Sequence, residues 1–433
     1  MVTGMLETDT QTGSQLSPTE DGIQVLRELA LDSLSRITRN QLPNGLIPAS
    51  LGRFDDRHFD GKVWIKDHAR AVRFALDPLV QKYLPEVADA GKDLYLRAMD
   101  GILRAQYSDE QLDRFSTHPE GTDQNGYYSI DDREVPAIKF NSDSTIYHDW
   151  GHNQPDNWGT LLLEIGKGIE SGWPVLGKRK DGFIPGEMLQ QIASYVVNLR
   201  TERLLCRSIW EHNVGWPSYS TKKIVSAGLN KLDPAWTKIE QDSQENDYPL
   251  LVSLTDIGEA AGSLAEMVRE QPGDYTDTEN HKSPADLASL VVLNDIDNLP
   301  EREQHEIIER VIDADLEKEL GFTRYIGDHW RKGPTEAIWP MGKPIMARFR
   351  FKQAAISFAK GNPEAGSVSL NQGLIRMNEV LSMISEYGYI PELFEDEDKD
   401  GVFSPNNNEL AWIRSYIIQA AAAGIAAIRV SQL

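Results

Sequence analysis

The chain has 433 residues, of which 40% are hydrophobic, and its formal net charge is −23 at pH 7. This charge disfavours nucleic acid and anionic membranes as partners, because both would meet a surface that repels them. No segment approaches the run of about 18 apolar residues that spans a membrane. The first residues lack the basic and apolar regions of a secretory signal, and the single cysteine, Cys206, suits a reducing compartment. We therefore expect a cytoplasmic protein.

Apolar residues at helical spacing recur along most of the chain. The first such pattern follows a capping box at Ser17-Pro18-Thr19-Glu20, with Ser17 as the cap. Residues 1–16 are predicted to be a disordered tail, and residues 17–433 a single domain. Including the first, the patterns predict about twelve helices. The others lie near residues 64–86, 91–107, 156–172, 185–212, 219–231, 246–270, 284–296, 300–319, 335–361, 365–387 and 407–429.

The predicted helices differ in how much of their surface is apolar. The last, 407–429, is apolar almost all round and should be buried, whereas 300–319 is charged over most of its surface. Inner helices surrounded by outer helices account for both types. Strand patterns are few, and no alternation of strands and helices stands out. The fold class predicted is all-α.

Long segments rich in Gly, Pro, Asp, Asn, Trp and His separate the helices. Loops of this length are uncommon unless they are functional. In a toroid of paired helices they would gather at one mouth and form the site. The segments are 41–63, 108–155, 213–218, 271–283, 320–334 and 388–406.

Two glutamates stand out among the many carboxylates. Glu211 follows Trp210 at the predicted end of helix 185–212, where desolvation beside an indole would raise its pKa and suit a general acid. The alternative is an exposed glutamate at a helix end. Glu392 follows Pro391, which stiffens the loop and would suit a carboxylate that activates water. The alternative there is an ordinary loop carboxylate beside an acidic tract.

Tryptophans are frequent in or beside the predicted loops. Indole faces stack on the apolar faces of sugar rings, so these residues indicate a sugar site, although a single tryptophan more often belongs to a core. They are Trp64, Trp150, Trp158, Trp210, Trp216, Trp330, Trp339 and Trp412.

Metal sites are weakly indicated. His148 and His152 have helical ligand spacing, but Gly151 disfavours a helix there and no third zinc ligand is evident. Asp396, Asp398 and Asp400 match the first half of a calcium loop, but its twelfth position is Asn407 instead of glutamate. Calcium at this loop stays open beside a solvated acidic loop, and no metal is expected at the catalytic residues.

Five segments in chain order carry a resemblance to a known family: NGLIPAS with VWIKDHAR; FNSDSTIYHDWGHNQPDNWGTLLLEIG; IWEHN; GFTRYIGDHW; and YIPELFED with LAWIRSYI. From about residue 40 to 430 the chain resembles the glucoamylase-like enzymes of glycoside hydrolase family 15. It is also similar to the glucoamylase-like domain of phosphorylase kinase α and β subunits.

The resemblance implies an (α/α)6 barrel and an inverting site, with Glu211 as general acid and Glu392 as general base. Inverting chemistry places the two carboxyl groups about 6.5–9.5 Å apart, which leaves room for the attacking water. The resemblance also implies that ten further residues bind the substrate. They are Trp64, Lys66, Asp67, Trp150, Gln154, Asp156, Trp210, Arg324, Tyr325 and Trp412.

Two departures from the family pattern bear on the substrate. His212 follows the predicted acid where a second acidic residue is common, and Lys66 stands where arginine is frequent. Both favour a small α-glucoside over polymeric starch. The expected function is therefore an inverting hydrolase acting on a small carbohydrate. The alternatives are a non-catalytic sugar-binding regulatory domain and, less consistent with the loop tryptophans, a helical scaffold. Linkage, aglycone and oligomeric state stay open.

Overall fold

The computed structural model describes residues 16–51, 61–116, 130–131, 133–201, 203–204, 206, 218–270, 285–297, 299–328, 335–396, 404–405 and 408–433. Within these ranges the chain forms fifteen α-helices and three two-stranded antiparallel ribbons. The prediction of an all-α protein is confirmed.

Six inner helices pack side by side in a closed ring, each against the next in chain order, and the last against the first. They are α2 (Ile65–Val72), α6 (Asp156–Glu170), α8 (Tyr219–Leu232), α11 (Leu287–Asp295), α13 (Gly342–Ala359) and α15 (Ala411–Ser431).

Six outer helices alternate with the inner ones along the chain, and each packs against an inner neighbour. The arrangement is therefore an (α/α)6 barrel, as predicted. The outer helices are α1 (Glu20–Asn40), α4 (Pro85–Ala105), α7 (Pro185–Asn198), α10 (Leu254–Glu270), α12 (Glu301–Asp313) and α14 (Pro363–Tyr387). Three short helices lie in the connections: α3 (Pro78–Tyr83), α5 (Asp109–Phe115) and α9 (Trp236–Asn246).

The burial of the helices agrees with the predicted difference between apolar inner helices and charged outer helices. In α15 every residue from Ala411 to Ile428 is buried, whereas α12 buries only Ile307, Ile308 and Val311. By length and composition α15 could cross a membrane, so the expectation that no segment approaches such a span is wrong. Its whole apolar window lies inside the barrel, as is typical of a core helix.

Long loops precede the inner helices, and main-chain contacts join these loops to one another. Strand β1 (Val63–Trp64), before α2, pairs with β2 (Lys139–Phe140), before α6. Ser50 bridges to Leu410, before α15, and Ile338, before α13, bridges to Phe394. These contacts hold the N-terminal ends of the inner helices at one mouth. The remaining ribbons are β3 (Glu317–Lys318) with β4 (Gly321–Phe322), and β5 (Phe394–Glu395) with β6 (Ser404–Pro405).

Several predicted helix ends are wrong, for local reasons. Thr19, not Ser17, caps α1, because its side chain accepts the Gly22 amide. The predicted helix 64–86 is broken, since Pro78 disfavours helical backbone at the preceding residue and Asp77 caps α3 instead.

Two further helices are shorter than predicted. The predicted helix 185–212 ends at Asn198, just before Arg200 adopts a left-handed φ of 48°. The predicted helix 246–270 starts at Leu254, where Ser253 and Asp256 form a reciprocal capping box.

Candidate active site

The mouth of the barrel is formed by the N-terminal ends of the inner helices. Each such end carries a partial positive charge and unpaired main-chain N–H groups, so anionic and hydroxyl groups are favoured there. Most of the predicted site residues that the structure describes lie in the first turn of an inner helix or in the loop before it.

Lys66, in the first turn of α2, meets two predicted site residues at the start of α6. Its Nζ donates to Gln154 Oε1 at 3.1 Å and lies 3.5 Å from the Asp156 carboxylate. Lys66 is 4% exposed and Asp156 is fully buried. Neither carboxylate oxygen of Asp156 has a hydrogen-bond partner among the described residues. Lys66 balances the charge of Asp156 and leaves its oxygens able to accept bonds.

Trp64 and Trp150 meet edge to face, with ring centroids 5.5 Å apart. The fully buried Lys139 places its ammonium 3.7 Å from the first ring centroid and 3.6 Å from the second. Sequence analysis missed Lys139, although a lone charge in the apolar stretch before Phe140 was a usable signal. One face of each indole is thus covered by a cation, which limits how a sugar could stack on them.

Trp412 stands in the first turn of α15, beside Arg70 from the second turn of α2. The Arg70 guanidinium lies 5.6 Å from the centroid of the indole, and Tyr416 meets the same ring edge to face at 5.1 Å. The buried Trp412 Nε1 has no hydrogen-bond partner among the described residues. Trp412, which is predicted to bind the substrate, therefore keeps a donor unused.

Glu392 is fixed in the loop between α14 and α15. Its N–H donates to the Asn408 carbonyl at 2.7 Å, and the Asn408 side-chain amide donates to its Oε2 at 2.8 Å. The left-handed Gly388 ends α14, and Pro391 directly precedes the glutamate. Glu392 is 8% exposed, so the structure gives this carboxylate a defined orientation near the mouth.

Arg324 and Tyr325 follow strand β4, at the part of the mouth between α11 and α13. The buried Arg324 donates to both Asp328 oxygens, at 2.8 and 2.6 Å, and lies over the Trp339 ring at 4.5 Å. Trp339 Nε1 also donates to Asp328, at 2.9 Å. Sequence analysis predicted that Arg324 binds sugar but missed Asp328, which orients it.

The predicted acid Glu211 and its neighbour Trp210 lie outside the described residues. The predicted position of Glu211 at the end of a helix running from residue 185 is wrong, because that helix ends at Asn198. The segment that carries Glu211 leads into α8, whose first turn is capped by Ser218. Glu211 therefore stays a prediction based on sequence.

The described residues contain no group of three side chains arranged as metal ligands. Asp396 is buried, while Asp398 and Asp400 fall outside the described ranges, so the alternatives of a calcium loop and a solvated acidic loop both stay open. The His148 side chain is 64% exposed, whereas His152 is buried and accepts the Ile138 amide at 3.4 Å. The two imidazoles do not share a face.

A buried ionic network that sequence analysis missed lies beneath the mouth. Arg70 Nε donates to Asp295 Oδ2 at 2.8 Å, Arg73 also pairs with Asp295, and Tyr416 donates to it at 2.8 Å. Burial lowers the pKa of Arg70, but nearby acidic groups, Asp295 foremost, raise it above its ordinary value. Burial raises the pKa of Asp295, but the two arginines lower it by a larger amount. The pKa is therefore below its ordinary value, and the carboxylate stays ionised between the two arginines.

Comparisons with known proteins give structural neighbours only. No family model and no curated protein matches the sequence. A glycosidase variant in complex with glucose superposes with a TM-score of 0.57 at 15% identity, over 94% of this chain and 99% of that chain.

Two glucoamylases are also similar in structure. The family 15 glucoamylase from Hypocrea jecorina has a TM-score of 0.59 at 13% identity, over 94% of this chain and 72% of that one. A bacterial glucoamylase complexed with acarbose has a TM-score of 0.56 at 12% identity, over 93% and 56%. At these identities the likeness shows the fold, a barrel shared with glycosidases.

Proposed function

We propose that the chain is an inverting glycoside hydrolase that cleaves a small α-linked glucoside. The observation that carries the proposal is the convergence at one mouth of residues predicted from separate parts of the chain. Lys66, Gln154 and Asp156 are in direct contact, Trp412 stands beside them across α2, and Glu392 is fixed in the loop that leads to α15.

The chemistry follows from two carboxyl groups with different tasks. Glu211 protonates the glycosidic oxygen as the bond breaks, and Glu392 takes a proton from the water that attacks the opposite face of the sugar. Asn408 donates a hydrogen bond to one oxygen of Glu392, which limits the rotation of the carboxyl group. Lys66 and Asp156 offer a donor and an acceptor to the hydroxyls of the bound ring.

The substrate proposed is neutral and short. Small glucosides carry no charge, so the net charge of −23 does not repel them. The glucose and acarbose named in the titles of two structural neighbours belong to the same chemical class. His212 and Lys66, which depart from the glucoamylase pattern, favour a disaccharide or small glucoside over starch.

The test is glucose release from maltose, isomaltose, trehalose and other α-glucosides by the parent, Glu211→Gln and Glu392→Gln. The parent should release glucose from at least one compound. Each variant should lose at least about a thousandfold in kcat with its circular dichroism unchanged, because the amide replaces a group that must exchange a proton.

Two outcomes would contradict the proposal. Activity at the parental level in both variants would show that these glutamates do not carry the reaction. Sugar binding by calorimetry, with no hydrolysis across the panel, would instead favour the regulatory sugar-binding domain.

A further inference from the structure

Arg70 and Asp295 join opposite sides of the barrel. In the ring order α2, α6, α8, α11, α13, α15, the helix opposite α2 is α11. The 2.8 Å bond from Arg70 Nε to Asp295 Oδ2 therefore crosses the barrel axis. Because Lys66 and Arg70 are four residues apart on α2, they share a face, with Arg70 one turn deeper than the mouth. The Arg70–Asp295 pair thus forms a floor beneath the mouth.

Arg70 is held firmly, yet one of its nitrogens is unused. The side chain is 1% exposed, and Nε is bound to Asp295. Its Nη2 is buried and has no hydrogen-bond partner among the described residues. A buried donor without a partner is unfavourable, so a site that keeps one is suited to a polar ligand.

Two more unused polar groups lie next to Arg70, on the helices that flank α2. Trp412 Nε1, on α15, is a donor, and the Asp156 carboxylate, on α6, is an acceptor; both are buried without a hydrogen bond in the described structure. The Arg70 guanidinium lies 5.6 Å from the Trp412 ring centroid, and the Asp156 charge acts on Arg70. Two donors and one acceptor around Arg70 match neighbouring hydroxyls, each of which both donates and accepts.

We propose that Arg70 Nη2 donates a hydrogen bond to one ring hydroxyl of the bound sugar and so determines specificity at the floor of the site. Asp295 acts through Arg70 as a positioning residue, with Tyr416 and Arg73 fixing its carboxylate. This inference rests on the proposed function, because it assumes that a glucose ring occupies the mouth.

The experiment compares inhibition constants of glucose and its 2-, 3-, 4- and 6-deoxy derivatives for the parent, Arg70→Lys and Arg348→Lys. Lysine at position 70 can still reach Asp295 but cannot also present a second nitrogen. Arg348 is the matched control, because it is also a buried arginine, and its guanidinium binds Asn294 and Asp77. Thermal unfolding shows which variants fold. If Arg70→Lys does not fold, Asp295→Asn is used in its place to test the same pair.

The parent should bind one deoxy derivative about tenfold or more weaker than glucose. In Arg70→Lys, glucose should bind more weakly by a similar factor, and the difference in binding between glucose and that derivative should vanish. Arg348→Lys should keep the parental profile. Asp295→Asn should reduce the same difference in binding between glucose and that deoxy derivative.

A parental profile in the folded variants at 70 and 295 would overturn the inference and leave the proposed function intact. A parent that neither hydrolyses α-glucosides nor binds glucose would overturn both.

Discussion

At the scale of single residues, the barrel buries several charged and titratable side chains. Lys66, Arg70, Arg73, Lys139 and Asp295 are all nearly inaccessible to solvent. Each has an opposite charge or an aromatic face beside it, which offsets the cost of removing it from water. Removing one partner leaves the other charge buried and uncompensated, so these positions should tolerate substitution poorly.

His68 makes the stability of the protein depend on pH. Its ring is fully buried: Nδ1 accepts the Ile47 amide at 3.0 Å, and Nε2 lies 2.8 Å from the Ala98 carbonyl, the geometry of a neutral imidazole. Burial lowers its pKa from 6.5 to about 4. As the pH falls, the unfolded chain therefore binds a proton at this residue at a higher pH than the folded chain does. The stability that this residue contributes is complete above pH 6.5 and is lost as the pH falls towards 4.

We predict that the free energy of unfolding falls by about 2 kcal/mol more between pH 7 and pH 5 in the parent than in His68→Gln. Glutamine can accept and donate at similar positions but does not titrate. Urea unfolding at the two pH values measures the difference. Equal losses in both proteins would show that His68 is not held neutral by the fold.

Which site residues could be predicted from sequence depends on the range of their contacts. Lys66, Gln154 and Asp156 belong to segments with a characteristic local pattern, and the structure brings them together. Arg70 and Asp295 are 225 residues apart, and nothing near either one in sequence indicates the other. Pairing across the barrel axis is a property of ring closure, which no local pattern encodes.

At the scale of elements, the contact between α6 and α8 depends on glycine. A Cβ atom added at Gly159 would lie 2.6 Å from the Val225 Cα, and one added at Gly228 would lie 2.3 Å from the Gly159 carbonyl oxygen. The two inner helices therefore touch through their main chains. In contrast, Gly258 is exposed on the outer helix α10, with nothing within 4 Å of an added Cβ.

We predict opposite effects of alanine at these two positions. Gly159→Ala should destabilise the protein by about 1–3 kcal/mol or more, because the helices must separate. Gly258→Ala should stabilise it by about 0.5–1 kcal/mol, because alanine is the better helix former and meets no obstacle. Chemical denaturation compares the two. Equal gains in stability would contradict the close main-chain contact.

Helix existence was easier to predict than helix ends. The apolar patterns locate all six inner helices, since these are buried on several faces. Some ends that a cap or proline decides were wrong, as at Thr19 and Pro78, whereas the starts at Pro185 and Tyr219 were right. The short helices α5 and α9 were not predicted, because helices of 7 and 11 residues contain few apolar residues to mark them.

At the scale of the whole molecule, the ring of inner helices gathers loops from distant parts of the chain. The loops before α2, α6, α13 and α15 are joined by strand pairs and bridges, and the loop before α13 binds the start of α11 through the Arg324 carbonyl. This architecture explains why a site can be assembled from segments that are far apart in sequence. It does not by itself fix the chemistry, which the proposed function assigns to the two glutamates.

The most direct test of the account is the configuration of the sugar that is released first. Hydrolysis of the best α-glucoside, followed by proton NMR of the anomeric signals, should show β-glucose before mutarotation produces the α form, because water attacks the face opposite the leaving group. Glu392→Gln should release neither anomer at a comparable rate. Initial release of α-glucose would contradict an inverting site with Glu211 as acid and Glu392 as base.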